Sequence, residues 1–269
     1  MRTALKPRMP SSQIGGAGYY RHLLSNRSHP LKNLDPLAMI VAFHRGQEIC
    51  SQGRPPEHWY FLISGAARRC AIRSDGHRQI VDLLLPGDFF GLEFGDQSDD
   101  TIEAVAEATV TASYPRARIE ALAESDPKIA RELREIAFTA LSRMQAQLLI
   151  LGRITAPEKV GSFILEMAAR LSDQDSDRVS LPVSRYDIAD YLGLSVETVS
   201  RALSDLKERG AIRLLGTRTV SIVQRNVLEE RDRDVRAHAQ MLSRSDGVAS
   251  QQAQESTRAR TARRIASAN

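Results

Sequence analysis

Three polar residues, Glu197, Ser200 and Arg201, lie within one short helical stretch of the sequence. Steps of three and one place them on the same side of a helix. Arginine can donate two hydrogen bonds to guanine O6 and N7, glutamate can accept one from cytosine N4, and serine can contact a base or a phosphate. Glu197 and Arg201 would also suit an ordinary surface ion pair worth about 0.2–0.5 kcal/mol. The elements that position the three residues therefore decide between the two interpretations.

Those elements form two short helices with a tight turn between them. Ser184 can cap the first helix, with Asp187 three residues later, and Ser195 can cap the second. Gly193 suits the left-handed position of the turn. The sequence therefore predicts a helix-turn-helix over residues 185–207, whose second helix enters the major groove of DNA. The apolar positions that this predicts to be buried are Ile188, Ala189 and Leu192 on the first helix and Val196, Val199, Leu203 and Leu206 on the second.

A period-two pattern follows the second helix. Ile212 and Leu214 precede a turn at 215–218, and Val220 and Ile222 follow it, which predicts a β-hairpin wing. Side chains on the wing and at the two helix starts suit contacts with DNA phosphates. The residues that we expect to make them are Ser184, Arg185, Ser195, Thr198, Arg213 and Arg218.

A longer helix is predicted over 126–152, where apolar residues recur at steps of three and four without an interrupting Gly or Pro until Gly152. Such a stripe can pack on its own domain or form the seam of a parallel coiled-coil dimer. The length of the helix and its place between two blocks favour the dimer. The predicted seam comprises Ile129, Leu133, Ile136, Ala140, Met144, Leu148 and Leu151.

The block that precedes this helix is rich in β-strand patterns. Glycines recur there at intervals of 7, 12, 11 and 11 residues, starting from Gly46. Strand-like runs at 59–63, 69–72 and 79–85 lie between them, with turns predicted at 74–76 and 86–88. Regular short strands of this kind predict a sandwich or jelly roll over 36–125.

Charge and composition separate these blocks from two polar ends. Of the 269 residues, 37 are Lys or Arg and 33 are Asp or Glu, a net charge of +4. Residues 1–35 hold six basic and one acidic side chain, and 227–269 hold eight and six. Both ends are predicted to be loose, the first as a flexible arm with a short helix near 19–24 and the second as a disordered tail. The DNA prediction therefore depends on 178–226, with eight basic and five acidic residues.

The cysteine count and hydropathy limit the protein class. Cys50 and Cys70 are too few for a disulfide framework or a four-cysteine metal site. Buried, structural thiols are the expectation for both, and nothing in the sequence supports redox control. There is no secretory signal and no apolar run of membrane-spanning length, so we expect a cytoplasmic protein with no membrane partner.

Residues 36–226 resemble the CRP/FNR superfamily of bacterial transcription regulators. The resemblance rests on Gly46-x-x-Ile49-x-x-x-Gly53, Tyr60-x-Leu62-x-x-Gly65, the run PGDFFG from Pro86, and LGLSVETVSRALSDLKERGAI from Leu192. It implies an α+β fold: a cyclic-nucleotide-binding-like β-roll (36–125), a dimerisation helix (126–152) and a C-terminal winged helix-turn-helix (153–226). It also implies a regulator and not an enzyme.

The segment VETVSR at 196–201 is similar to the FNR and FixK version of this motif. In that version Glu, Ser and Arg read the half-sites of a TTGAT…ATCAA palindrome. The resemblance therefore implies a homodimeric, FixK-like activator that contacts double-stranded DNA and RNA polymerase. It further implies control of genes for microaerobic or anaerobic metabolism or for nitrogen fixation.

Departures from the family pattern bear on cofactors. Cyclic-nucleotide-binding members hold phosphate with an arginine, but no arginine occurs here between Arg78 and Arg116, and acids cluster at Asp96, Asp99, Asp100 and Glu103. Residues 1–49 have no cysteine for an iron–sulfur cluster. We therefore expect neither cAMP nor an iron–sulfur cluster.

Two alternatives remain open. A haem- or nitric-oxide-responsive relative would need an axial ligand, for which the candidates are His22, His29, His44, His58 and His77. A metal-dependent jelly-roll enzyme would need clustered ligands, and these histidines are scattered along the chain. No catalytic or metal-binding residue is predicted.

Overall fold

The computed structural model describes residues 17–26, 29–53, 57–72, 76, 78–92, 100–171 and 177–229. The chain divides into two compact units. The first runs to Arg153 and includes Ser180–Arg201, and the second comprises Ile154–Val179 and the chain from Ala202 onward. Most of the predicted arm, the tail beyond 229, the turn at 74–75, His77 and two of the clustered acids, Asp96 and Asp99, lie outside the described residues.

The described part of the first unit contains two four-stranded sheets and four α-helices. One sheet has the strand order β1-β8-β3-β6 and the other β2-β7-β4-β5, with antiparallel pairing between neighbours. The strands are β1 (Met39–Phe43), β2 (Glu48–Cys50), β3 (His58–Ser64), β4 (Ala67–Ile72), β5 (Arg78–Leu84), β6 (Phe89–Phe90), β7 (Asp100–Ala104) and β8 (Thr109–Pro115). The helices are α1 (Ala17–Asn26), α2 (Arg116–Ser125), α3 (Pro127–Leu151) and α5 (Arg185–Leu192), and a 3₁₀ helix spans Lys32–Leu37.

Tight turns join these strands, as the glycine spacing predicts. Gly65, between β3 and β4, has φ +84°, and a Cβ at this position would lie 2.6 Å from the Thr109 backbone. Glycine is therefore required at this turn both for its conformation and for the close approach of β8.

Aromatic and aliphatic side chains of β3, β6 and β8 form the main core of this unit. Leu24 and Leu31 are almost fully buried in the same cluster as Trp59, Phe61 and Tyr114. This corrects the prediction of a flexible arm over 1–35. Its described part is a helix and a 3₁₀ turn that close one side of the core, because widely spaced leucines among polar residues are enough to anchor a short segment.

The second unit contains α4 (Ala156–Leu171), most of the short strand β9 (Arg178–Ser180), β10 (Ile212–Leu214) and β11 (Thr219–Ile222). β10, β11 and β9 form a three-stranded sheet in that order among the described strands. Thr155 and Glu158 cap α4 reciprocally: Thr155 N–H donates to Glu158 Oε2 at 3.1 Å and Glu158 N–H to Thr155 Oγ1 at 3.4 Å. Helix α6 (Val196–Glu208) continues across the boundary between the units.

Among the described residues, no helix is both long and apolar enough to cross a membrane.

Candidate nucleic-acid interface

The first helix of the predicted motif, α5, begins at a reciprocal cap. Ser184 Oγ accepts a hydrogen bond from the Asp187 N–H at 3.2 Å, and Asp187 Oδ2 accepts from the Ser184 N–H at 2.9 Å and its hydroxyl at 2.6 Å. These bonds satisfy backbone donors that a helix start otherwise leaves unpaired. Asp187 is almost fully buried, so its carboxylate is a structural group and does not face solvent.

The turn between α5 and α6 has the predicted geometry. Gly193 adopts the left-handed conformation, with φ 63° and ψ 41°, and its N–H donates to Ala189 O. Leu194 N–H also donates to Ala189 O, at 3.0 Å. Ser195 then caps α6, because its Oγ accepts from the Thr198 N–H at 3.1 Å. The second helix therefore starts at a fixed position, with three residues between it and the end of the first.

Glu197 and Arg201 are exposed at the beginning of α6, and Ser200 lies beside them, half-buried. Val199, Leu203 and Leu206, on the other side of the helix, are buried. Hydrogen bonds from its own backbone N–H and from Ser195 lower the pKa of Glu197. The side chain therefore stays a carboxylate, which only accepts hydrogen bonds, as a cytosine N4 donor requires.

Arg185 connects the two helices on this surface. Its Nη1 donates to Ser200 Oγ at 3.3 Å. The sequence predicted Arg185 as a phosphate contact and Ser200 as a base contact, but it did not predict that the two side chains meet. Because Arg185 is fifteen positions before Ser200, only the turn geometry brings them together.

The remaining predicted phosphate contacts occupy different environments. Ser184 and Ser195 both use their hydroxyls in caps, and Ser195 Oγ lies 3.0 Å from Thr198 Oγ1. On the wing, Arg213 is exposed on β10 and Arg218 is half-buried before β11. Leu215 N–H donates to Thr219 O at 2.9 Å and closes the predicted turn. Tyr186, 69% exposed in the first turn of α5, was not predicted as part of this surface.

The long helix α3 begins and ends where predicted, but its apolar face differs from the predicted seam. Ile129 and Ile136 are buried in the core of their own unit, and Leu133 packs partly buried against the same core. These three residues are therefore not available to a partner. Of the other four, Ala140 and Leu151 are half-buried, and Met144 and Leu148 are exposed.

A second apolar stripe of α3 is exposed. It consists of Phe138, Leu141, Met144, Leu148 and Leu149, each between 49% and 66% exposed, and is called here the outer strip. Three of these residues are not part of the predicted seam: Phe138, Leu141 and Leu149. Two neighbouring apolar stripes run along the helix, and periodicity alone cannot show which one faces the chain's own core.

The two thiols and the described histidines complete the candidate groups. Cys50 is half-buried and Cys70 is buried, and the two are not joined by a disulfide; burial raises the pKa of the Cys70 thiol to about 11. His29 is buried and stacks on Phe61 with ring centroids 4.5 Å apart. Within the described ranges, no three His, Cys, Asp or Glu side chains form a group that could hold a metal ion.

Comparison with known families and proteins supports this arrangement. The Crp-like helix-turn-helix domain matches residues 158–231 and the cyclic nucleotide-binding domain matches 40–126. The nitrogen fixation regulation protein FixK of Azorhizobium caulinodans is 40% identical over 208 residues, which cover 76% of this chain and 84% of that protein. The FixK of Rhizobium meliloti is 37% identical, with 71% and 85% covered. The chain belongs to the CRP/FNR family.

Solved structures of CRP/FNR regulators share the fold. FixK2 from Bradyrhizobium japonicum matches with a TM-score of 0.67 and 38% identity over 72% of this chain and 96% of that one. TTHB099 from Thermus thermophilus, a transcriptional regulator of the CRP family, matches with a TM-score of 0.56 and 30% identity, with 70% and 94% covered.

These matches confirm the predicted α+β fold and the FixK-like resemblance. The protein is a DNA-binding transcription regulator of the CRP/FNR family and not an enzyme, so the jelly-roll enzyme alternative is wrong.

Proposed function

We propose that this CRP/FNR regulator binds as a homodimer to an FNR-type palindrome, TTGAT…ATCAA, and reads each half-site with Glu197, Ser200 and Arg201. The observation that carries the proposal is the start of α6, where a capped helix leaves Glu197 and Arg201 exposed beside Ser200. Arg185, Arg213 and Arg218, with the hydroxyls and amides of the two helix starts, would contact phosphates.

The outer strip supports the homodimer. Five large apolar side chains exposed along one helix form a patch of the kind that marks an interaction surface. A two-fold axis along such a helix would make the same patch contact itself, and a symmetric dimer suits a palindromic site. The strip shares Met144 and Leu148 with the predicted seam, whereas Ala140 and Leu151 of that seam are half-buried.

With a haem- or nitric-oxide-responsive regulator as the alternative, we propose that the protein acts without cyclic nucleotide and without an iron–sulfur cluster. The first of these is supported by ion pairs at arginines that could otherwise attract a phosphate. Arg68 is paired with Glu103, and Arg69 with Asp100 at 3.9 Å. On α3, Arg143 is paired with Asp82 at 3.5 Å and with Asp88. An anionic ligand would have to displace these carboxylates. Calorimetry with cAMP and an absorbance spectrum of the purified protein test the proposal: cAMP binding or a cluster band would contradict it, and a haem band would favour the haem-responsive alternative.

Relatives named nitrogen fixation regulation proteins and transcriptional activators support activation of related genes. We propose that the chain activates genes for nitrogen fixation or microaerobic metabolism in the cytoplasm and contacts RNA polymerase to do so.

A gel shift tests the DNA proposal. The full chain is titrated into a TTGAT…ATCAA duplex and into a scrambled duplex of equal length at physiological salt. We expect tighter binding to the palindrome, with the stoichiometry of two chains per duplex. Equal affinity for both duplexes would overturn the specificity claim.

The dimer has its own test. Leu148→Glu places a charge in the outer strip, and we expect it to shift the protein toward monomer in analytical ultracentrifugation and to weaken binding to the palindrome. The matched control is Thr139→Glu, which adds the same charge at an exposed position on the side of α3 away from the strip. A Leu148→Glu protein that sediments as the unmodified chain does would contradict the assignment of the strip.

A further inference from the structure

Five charged side chains connect α5 with the sheet that contains β4, β5 and β7. They are Arg68, Arg78, Glu103, Asp187 and Asp190, and are called here the α5 ion cluster. All five belong to the first unit. Asp187 and Asp190 are three residues apart on α5, so both carboxylates lie on the helix face that meets the sheet.

Arg68 is the centre of the cluster. It lies on β4 directly opposite Glu103 of β7, and its Nε and Nη2 donate to Glu103 Oε2 at 3.0 and 2.7 Å. Its remaining terminal nitrogen, Nη1, donates to Asp187 Oδ1. A planar guanidinium can hold two carboxylates from separate elements in this way, whereas an ammonium has no fixed fork.

The two oxygens of Asp187 have separate partners. Oδ2 accepts from Ser184 and closes the cap of α5, while Oδ1 accepts from Arg68. The same carboxylate therefore defines where the helix starts and fixes that start to the sheet. Only 6% of the Asp187 side chain and 17% of the Arg68 side chain are exposed, so solvent screens this pair weakly.

Arg78 makes a second connection one turn further along α5. Its Nη2 and Nε donate to Asp190 Oδ2 at 2.8 and 3.3 Å. Gln79, the next residue of β5, donates to the Asp190 backbone carbonyl. Two points of attachment, at Asp187 and Asp190, restrain both the position and the rotation of an eight-residue helix.

Buried ion pairs contribute little net stability compared with well-packed apolar side chains, because desolvation offsets their attraction. What such pairs supply is a defined geometry, since few arrangements of the helix against the sheet give every charge a partner. The cluster also leaves the exposed start of α6 uncovered, since Glu197 and Arg201 remain exposed in its presence. The contacts are therefore compatible with DNA binding and do not compete with it.

We propose that Arg68 and Arg78 are positioning residues for DNA reading. They hold α5 against the sheet, and the short turn through Gly193 and the Arg185–Ser200 hydrogen bond pass that orientation to the first turns of α6. Residues more than a hundred positions before α5 thus help to decide how well a base sequence is read. The inference depends on the proposed reading role of Glu197, Ser200 and Arg201.

A charge swap across the Arg78–Asp190 pair tests this proposal in the full chain. The variants are Arg78→Asp, Asp190→Arg and the double variant, and the measurement is the ratio of affinities for the TTGAT…ATCAA and scrambled duplexes. Each single variant places like charges together and releases α5. We expect the ratio to fall roughly tenfold, as when only a tenth of the molecules hold the competent orientation. The double variant restores the pair, but Arg78 also lies 3.9 Å from Glu103 and from Asp187, so the new carboxylate meets like charges there. We therefore expect the ratio to return to within about threefold of the unmodified chain.

Two matched controls separate position from charge. Arg45→Asp makes the same change as Arg78→Asp at an exposed turn, and Glu208→Arg adds a positive charge at an exposed position of α6 outside the cluster. Both should leave the ratio unchanged, although Glu208→Arg can raise the two affinities together. Arg68→Lys keeps the charge but loses the fork, and we expect a partial fall in the ratio.

The remaining outcomes each contradict either the positioning role or the proposed function. Single variants with an unchanged or raised ratio, or a double variant that does not recover, would overturn the positioning role while the unmodified chain still discriminates between the duplexes. If the unmodified chain itself does not discriminate, the proposed function fails, and this inference fails with it.

Discussion

Helices α5 and α6 use their charged residues in opposite ways. On α5, Asp187 and Asp190 face strands of their own chain and are paired with Arg68 and Arg78. On α6, Glu197 and Arg201 lie at exposed positions in the first two turns of the helix. Both helices are short, both are capped by serine, and both carry an acid in the first turn.

The two helices differ in the burial of their charged side chains. Buried side chains on α5 can position the helix, whereas exposed side chains on α6 can contact DNA. Asp187 accepts three hydrogen bonds inside the chain and is almost fully buried, so a ligand cannot reach its carboxylate. An exposed side chain on a capped helix can still donate to or accept from a ligand. Substitutions on α5 should therefore change stability or orientation, and those on α6 should change base preference.

Asp187→Ala tests the buried side of this comparison and should have the largest effect. It removes the carboxylate half of the α5 cap and one partner of Arg68, which keeps Glu103. Breaking a buried ion pair costs about 3–5 kcal/mol, and the remaining partner places this case near the lower value. Urea denaturation of the full chain followed by circular dichroism measures it. Glu197→Ala is the control and should leave the midpoint unchanged; equal midpoints for both variants would remove the distinction.

The pH dependence of this effect follows from the pKa of Asp187. Burial alone would raise the pKa of this carboxyl, but hydrogen bonds from Ser184 and the Arg68 guanidinium outweigh it and hold the pKa below the ordinary 3.8. A depressed pKa contributes stability that is present above 3.8 and is lost as the pH falls through the folded value. The difference between Asp187→Asn and the unmodified chain should therefore shrink below pH 3.8, whereas a constant difference would contradict this origin.

Arg201→Ala tests the exposed side. We expect a loss of about 1–3 kcal/mol in binding to the palindrome and relaxed discrimination at one base pair of each half-site. Arg201→Lys keeps the charge but cannot donate the bidentate pair, so discrimination should fall in this variant too. Competition titrations with single-base variants of the duplex measure both. A loss that is uniform across all duplexes would make Arg201 a phosphate contact instead.

Local sequence patterns predicted the helices and the turn of the candidate interface. Ser184, Gly193 and Ser195 define the two helix starts and the turn within a dozen residues, so their geometry follows from neighbouring side chains. The same holds for α3, whose bounds are set by Asp126 with Pro127 at one end and by Gly152 at the other.

The α5 ion cluster was beyond sequence reasoning for a physical reason. Arg68 and Arg78 pair with α5 across 119 and 112 positions, and isolated arginines on strands resemble ordinary solvated side chains. Strand β8 was missed although its polar and apolar residues alternate; both of its faces are buried, and buried Thr109, Thr111 and Ser113 look like solvent-facing residues from their type alone. The predicted seam of α3 includes three residues that pack in the chain's own core, because two apolar stripes run along this helix and periodicity does not distinguish them.

Arg185 is the exception to the comparison, since it lies on α5 but contacts Ser200 of α6. We expect Arg185→Ala to lower affinity partly because a phosphate is no longer neutralised and partly through Ser200. A double-mutant cycle with Ser200→Ala should show a coupling of about 0.5 kcal/mol on the palindrome and none on the scrambled duplex. Arg185→Ala with Arg213→Ala is the control pair, for which the effects should simply add. Zero coupling with Ser200 would place Arg185 among the phosphate contacts alone.

Arg213→Ala should have the smallest effect of these substitutions. It tests whether a side chain can contribute to DNA affinity without taking part in base recognition. Arg213 is exposed on β10 of the wing, so its guanidinium can neutralise a phosphate without meeting a base edge. Affinity for the palindrome and for the scrambled duplex should fall together, and the slope of log affinity against log salt should decrease by about 0.9 for each phosphate that is no longer neutralised. Titrations at four salt concentrations measure the slope for both duplexes. A loss confined to the palindrome at constant slope would instead give the wing a share in base recognition, and exposure at the start of α6 would then no longer identify the residues that read bases.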